Sequence, residues 1–304
     1  MQDLLEVQKH FGLPSPALVE KDWYVVKAIG AIAAVDTGPF QLVFNGGTAL
    51  SRAYRLIGRM SEDIDLKIIS AGQPPRQAYR KLRDTVTEAL LKTGFRFDPG
   101  NPLHRKSGNA SRYTLYRLPY SPVIVGEGTL RPEIQIETAV WPTRRPMVQL
   151  SVISFSAEAL KNPPEVPTIP CVALSEMIAE KFVALTRRAG AELAKARGPR
   201  DPTLVRHIYD LHMTRSHYKL NEVAELACEI MMADVRAYGH QFPAYRANPI
   251  GETLRAAKAL ATDSTFADRY ETFQRDMVYG ERADFASAID TILALAKRIK
   301  TVKA

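Results

Sequence analysis

The stretch that most constrains this chain is residues 41–69, where a short apolar run ends in Asn45-Gly46-Gly47-Thr48 and Asp63-Ile64-Asp65 opens a second alternating run. Leu42, Val43 and Phe44 have strand character, and the glycines break the run because glycine turns a chain sharply without steric cost. Thr48 then starts a helix whose apolar positions are Leu50, Ala53, Tyr54 and Ile57. The reading is strand, glycine turn, helix, strand. A helix that opens on such a turn points unpaired backbone N–H groups and a positive dipole end forward, which favours phosphate. The Thr48 hydroxyl adds one more expected donor.

Asp63-Ile64-Asp65-Leu66-Lys67-Ile68 has period two, so both aspartates and Lys67 share one face and the apolar residues the other. Two carboxylates side by side repel unless cations lie between them. Two divalent ions roughly 3.5–4 Å apart turn that repulsion into attraction in phosphoryl and nucleotidyl transfer. Magnesium suits an all-oxygen donor set completed by nucleotide phosphates. The separation from Gly47 to Asp63 leaves room for one helix of about ten residues and a loop.

Gly46-Gly47-Thr48 with Asp63-Ile64-Asp65 resembles the minimal signature of polymerase-β-like nucleotidyltransferases. The fuller wording, Gly46-Gly47-Thr48-Ala49-Leu50, Tyr54 and Arg59-x-Ser61-x-Asp63-Ile64-Asp65-Leu66, resembles more narrowly the AbiEii toxin family, which includes the MenT toxins. The resemblance covers about 15–215, and the last ninety residues carry no recognised motif. It implies an α/β (α+β) fold: a polymerase-β-like core with a mixed sheet, then a helical C-terminal lobe that completes the active-site cleft. It also implies a magnesium-dependent enzyme moving NMP from an NTP to an acceptor hydroxyl, and a toxin with a cognate antitoxin and tRNA as acceptor.

Three further site elements follow from the resemblance. Ile134-Gln135-Ile136-Glu137 resembles the family's third acidic strand, which makes Glu137 the candidate third carboxylate and metal ligand or base, with Glu133 as fallback. Lys181 lies beside the apolar stripe of Met177, Ile178, Phe182 and Leu185, where an ammonium either snorkels or meets an anion. The surrounding residues resemble the family's third motif, whose lysine contacts the nucleotide. Arg206-His207-Ile208-Tyr209-Asp210-Leu211 resembles the fourth motif. Taken alone, Arg206 and Asp210 are an i,i+4 ion pair; the resemblance makes Asp210 an active-site residue that orients Lys181 or the acceptor. Arg206 and His207 join the nucleotide-binding set, although a packed histidine explains His207 equally well.

Along the rest of the chain, Ser15-Pro16 predicts a helix over 16–34 with Leu18, Trp23, Val26 and Ile29 buried. Within it, Glu20-Lys21-Asp22-Trp23 resembles a segment that precedes the glycine motif in the AbiEii family; its charges read as an exposed turn in preference to a catalytic role. A helix with apolar positions 78–91 follows, then a loop over 98–109 and strands at 112–118, 131–140 and 147–154. Pro163, Pro164, Pro167 and Pro170 predict a stiff non-helical connection, which divides the chain into lobes 1–165 and 166–304. Helices are expected from Ser175, as an N-cap, and over about 220–238, 252–261 and 283–299, the last ending in a solvated tail with Lys297 and Lys300.

Charge and cysteines limit the partners. The formal charge is +8, and 186–206 holds Arg187, Arg188, Lys195, Arg197, Arg200 and Arg206 against Glu192 and Asp201. That local excess favours a polyanionic acceptor such as RNA. Cys171 and Cys228 are too few for a disulfide framework or a zinc site. No apolar run approaches the ~20 residues that span a bilayer, and MQDLLEVQKHF lacks a basic leader, so a cytoplasmic protein with no membrane partner is expected. Two other readings stay open: transfer to a small molecule or protein side chain, and a nucleotide-binding regulator without turnover.

Overall fold

The structure is a computed structural model that describes residues 2–124, 130–196 and 201–302. It divides into two compact units, Met1–Val172 and Ala173–Ala304.

The first unit opens with α1 (Gln2–Phe11) and α2 (Pro16–Ala33), the latter capped by Ser15, whose hydroxyl accepts from Ala17 N, with Pro16 in the first turn. Strand β1 (Phe40–Asn45) runs into α3 (Gly46–Thr48), which continues as a widened turn over Ala49–Ala53. There follow β2 (Asp63–Ser70), α4 (Arg76–Lys92), β3 (Arg105–Gly108), β4 (Tyr113–Pro119), β5 (Glu133–Ala139), β6 (Val148–Val152), α5 (Phe155–Ala159) and β7 (Val166–Cys171). Among the described residues these strands form one mixed sheet in the order β3-β4-β5-β2-β1-β7-β6. The centre sets the site: β2 is antiparallel to β1 and parallel to β5.

Alternation decides which face is buried. Ile64 and Leu66 on β2 and Ile134 and Ile136 on β5 are closed off, while Asp63, Asp65, Gln135 and Glu137 stay partly accessible. The segment of four prolines is not a bare connection, because Val166–Cys171 pairs with β6 and β1. Proline is tolerated where a strand's N–H is not needed by a neighbour. Residues 105–108, expected as loop, likewise pair with β4.

The second unit is helical: α6 (Leu174–Leu193), α7 (Arg206–Met213), α8 (Leu220–Tyr238), α9 (Pro243–Ala247), α10 (Pro249–Thr262), α11 (Ser264–Met277) and α12 (Phe285–Val302). Phe182, Leu211, Leu226, Met231, Leu260, Ile292 and Leu295 form its interior. Ser175 is not the cap of α6. It lies in the first turn and donates to Glu222 Oε1 at 2.8 Å. Lys297 and Lys300, expected in a tail, are exposed positions of α12. Among the described residues no helix is long and apolar enough to cross a membrane.

Candidate active site

The glycine turn brings backbone against carboxylate. Gly46 has φ +82°, and a Cβ there would overlap Asp65 Oδ2 and stand 3.0 Å from its Cγ. At Gly47 a Cβ would come within 2.5 Å of Arg59 Nη2 and 2.7 Å of Ser61 Oγ. Each glycine therefore leaves room for a named side chain of the site. Thr48 is fully buried; its hydroxyl donates to the Asp63 carbonyl and lies 3.0 Å from Ser61 Oγ. Its proton thus ties the helix start to β2 instead of facing outward.

Register then aligns the acids. Asp65 is the partner of Asn45 on β1 and of Glu137 on β5, and Asp63 is opposite Gln135. Asp63, Asp65 and Glu137 accordingly share one face of adjacent parallel strands. Glu133, the fallback, lies toward Arg117, whose Nε is 3.8 Å from its Oε1. Burial pushes the Glu137 carboxyl above the usual glutamate range; a hydrogen bond from Tyr113 Oη at 3.3 Å pulls it back, and Asp63 adds to the rise. Lys67, on the same face, donates to the Pro142 carbonyl at 3.2 Å.

Behind the acids lies a charged network that sequence reasoning placed on the surface. Glu20, Lys21 and Asp22 are buried residues of α2, not an exposed turn. Glu20 accepts from Val123 N and Ile124 N at 2.8 and 3.2 Å. Lys21, with 0% exposure, donates to the carbonyls of Arg131 and Glu133 at 2.6 and 2.5 Å and pairs with Glu62 Oε2 at 2.9 Å. Burial lowers the Lys21 pKa, and Glu62 opposes that. Asp22 accepts from Phe155 N at 2.7 Å and pairs with Arg52 at 3.1 Å. Leu18, Val26 and Ile29 are buried as expected, but Trp23, expected in the core with them, is 43% exposed. Arg131 was also missed. It binds Asp63, Glu62 and Gln135, and its one sequence signal is that 131, 133, 135 and 137 continue the period-two face of β5.

The donor set is what magnesium takes: oxygen only, on one face, with Glu137 held up partly by its acidic neighbour. No three acidic, histidine or cysteine side chains among the described residues converge on one metal position, and Asp63 is paired with Arg131. Asp63, Asp65 and Glu137 fit the ion by donor chemistry and by their shared face.

In the second unit, Lys181 Nζ donates to Asp210 Oδ2 at 2.8 Å, and both side chains are buried. Lys181 therefore meets a carboxylate within its own unit and does not snorkel to solvent. His207 is beside this pair; burial, with Lys181, Arg206 and Arg188 adding to it, drives its pKa well below the usual value, and among the described residues neither ring nitrogen has a hydrogen-bond partner. A neutral ring brings no charge to a phosphate. Arg206 is half-buried at the first turn of α7.

The basic excess of 186–206 is smaller than its count. Arg187 pairs with Asp234 at 2.6 Å and lies over the Tyr238 ring, and Arg188 pairs with Asp201. Lys195 is exposed; Arg197 and Arg200 lie outside the described residues.

A search of curated proteins gives no match. Among solved structures the chain is similar to the MenT4 nucleotidyltransferase toxin of Mycobacterium tuberculosis H37Rv, with 17% identity, a TM-score of 0.48 and coverage of 99% of this chain and 89% of that one. The family described as "Nucleotidyl transferase AbiEii toxin, Type IV TA system" matches residues 33–294, reaching about eighty residues past the last motif noted above. Matched over that span, the chain belongs to the AbiEii family of nucleotidyl transferase toxins of type IV toxin–antitoxin systems.

Proposed function

We propose that this toxin transfers a nucleoside monophosphate from an NTP to an RNA acceptor, with the 3′ end of tRNA as target, and thereby blocks translation and growth. The observation that carries the reading is the Asp65–Glu137 register with Asp63 on the same face, against a glycine backbone that leaves no room for a Cβ. In the reaction the acceptor oxygen forms a bond to the α-phosphorus, the bond to pyrophosphate breaks, and the hydroxyl proton passes to a carboxylate or to water. Magnesium held by Asp63, Asp65 and Glu137 would supply charge neutralisation and a lowered hydroxyl pKa. In the first unit Gly46 and Gly47 are the residues proposed to meet the phosphates; for Lys181 it is the family resemblance that supports contact with the nucleotide. The effect is electrostatic and positional.

Exposed single-stranded ends present both a free hydroxyl and stackable bases, which makes a tRNA 3′ end a sensible acceptor. A second reading is favoured by the pairing of Arg187 and Arg188 inside the protein, which leaves less basic surface for a backbone: the acceptor is a small molecule or a protein side chain. Incubation with each labelled NTP, magnesium and total cellular RNA, protein and metabolites separates the two. Label in RNA with the wild type and not with Asp63→Ala supports the RNA reading; label on protein or metabolite rejects it.

A further inference from the structure

Asp63 is already held by a cation of the protein's own. Arg131 Nη2 is 2.5 Å from Asp63 Oδ1, while its Nε donates to Glu62 Oε1 and its Nη1 to Gln135 Oε1, each at 3.1 Å. Both ends of this fork are fixed. The buried Lys21 ammonium grips the Arg131 carbonyl and pairs with Glu62, the other carboxylate the guanidinium meets. Burying an ammonium is costly unless it is paired and hydrogen-bonded, so three partners from two segments make a built anchor, not a chance contact. The guanidinium itself is different: the Arg131 side chain is 40% exposed.

We infer that Arg131 is a positioning residue, an internal counter-cation that holds Asp63 until a divalent ion arrives and then yields it. The inference rests on the proposed magnesium site. A guanidinium and a divalent cation on one carboxylate repel, and magnesium at about 2.0–2.1 Å from an oxygen tolerates no such neighbour on the same lone pair. Until then Arg131 offsets the repulsion among Asp63, Asp65 and Glu137. Its part exposure lets it swing to solvent, while Lys21 keeps its backbone, and Glu133 behind it, in place.

The test is binding of manganese(II) alone to the full chain, followed by calorimetry, with no nucleotide and no turnover. Because the ion must displace Arg131, Arg131→Met should bind manganese roughly 1.5-fold to fivefold tighter than the wild type, the fold-range of a partly exposed ion pair. Arg131→Lys, which keeps the charge, should stay near wild type. In an Asp63→Asn background the Arg131→Met gain should vanish, whereas a merely structural arginine would change melting temperature and leave affinity alone. Equal or weaker binding by Arg131→Met overturns the inference and leaves the metal site standing. No binding by any of these proteins overturns the metal site and the inference together.

Discussion

Replacing Gly46 by alanine separates backbone strain from site geometry. At φ +82° an L-residue costs roughly 1–2 kcal/mol, and in a unit of this size that lowers the melting temperature by about 2–8 °C. The added methyl also overlaps Asp65 Oδ2 and presses its Cγ, so the carboxylate must move by roughly an ångström, a displacement that can cost about 100-fold in rate. Gly38→Ala is the control, because Gly38 has φ +59° and nothing within 4 Å of its Cβ position. Both variants should lose stability by thermal and chemical denaturation, Gly46→Ala at least as much as Gly38→Ala because of the added overlap. Only Gly46→Ala should lose transfer of labelled nucleotide at a temperature where both are folded. Equal transfer by the two variants would refute the claim that Gly46 is glycine for the sake of Asp65.

Asp63→Ala or Asp65→Ala should abolish magnesium-dependent transfer with the circular dichroism spectrum kept; full activity of Asp65→Ala sinks the site. Lys181→Ala removes the ammonium paired with the buried Asp210 and should destabilise the protein besides weakening NTP use, whereas the exposed Lys297→Ala should stay within about 0.5 kcal/mol in urea titration. His207→Leu removes two buried nitrogens that lack hydrogen-bond partners among the described residues and should be neutral or stabilising by up to about 1 kcal/mol; a loss larger than that would show a bond that the described residues do not make. Glu137 has a folded pKa above the usual 4.5, so its contribution to stability is full below that value and disappears as pH rises through the folded pKa. Glu137→Gln should flatten the stability profile in that window, and Tyr113→Phe, by removing the bond that lowers the pKa, should move the acid limb of transfer to higher pH.

The central site was legible because each of its signals is local. Gly46-Gly47 marks a turn within two residues, and period-two alternation puts Asp63 and Asp65 on one face whatever surrounds the strand. The register of β5 against β2 is a different matter: alternation shows that Glu137 shares a face with Glu133, but only pairing decides which of them is opposite Asp65. The outcome for β7 has the same cause. Proline removes a donor, which argues against a strand in isolation, yet Val166–Cys171 finds partners whose bonds avoid the missing N–H groups.

What could not be read were the charges that face inward. A run such as Glu20-Lys21-Asp22 is placed at the surface by default, because burying three charges in a row is prohibitive unless each finds an opposite charge or a hydrogen-bonding backbone. Here each does, and two of the three partners of Lys21 come from more than a hundred residues away, at Arg131 and Glu133. The same holds in reverse for Arg187 and Arg188, which a count assigns to a nucleic-acid face and which Asp234 and Asp201 instead neutralise. Net charge counts residues one by one, whereas a binding surface depends on which are left unmatched after folding. It follows that neutralising Arg187 should damage the helical unit before it weakens any RNA contact, while neutralising the exposed Lys195 should leave stability unchanged and, if RNA is the acceptor, reduce the steepness with which binding falls as salt rises.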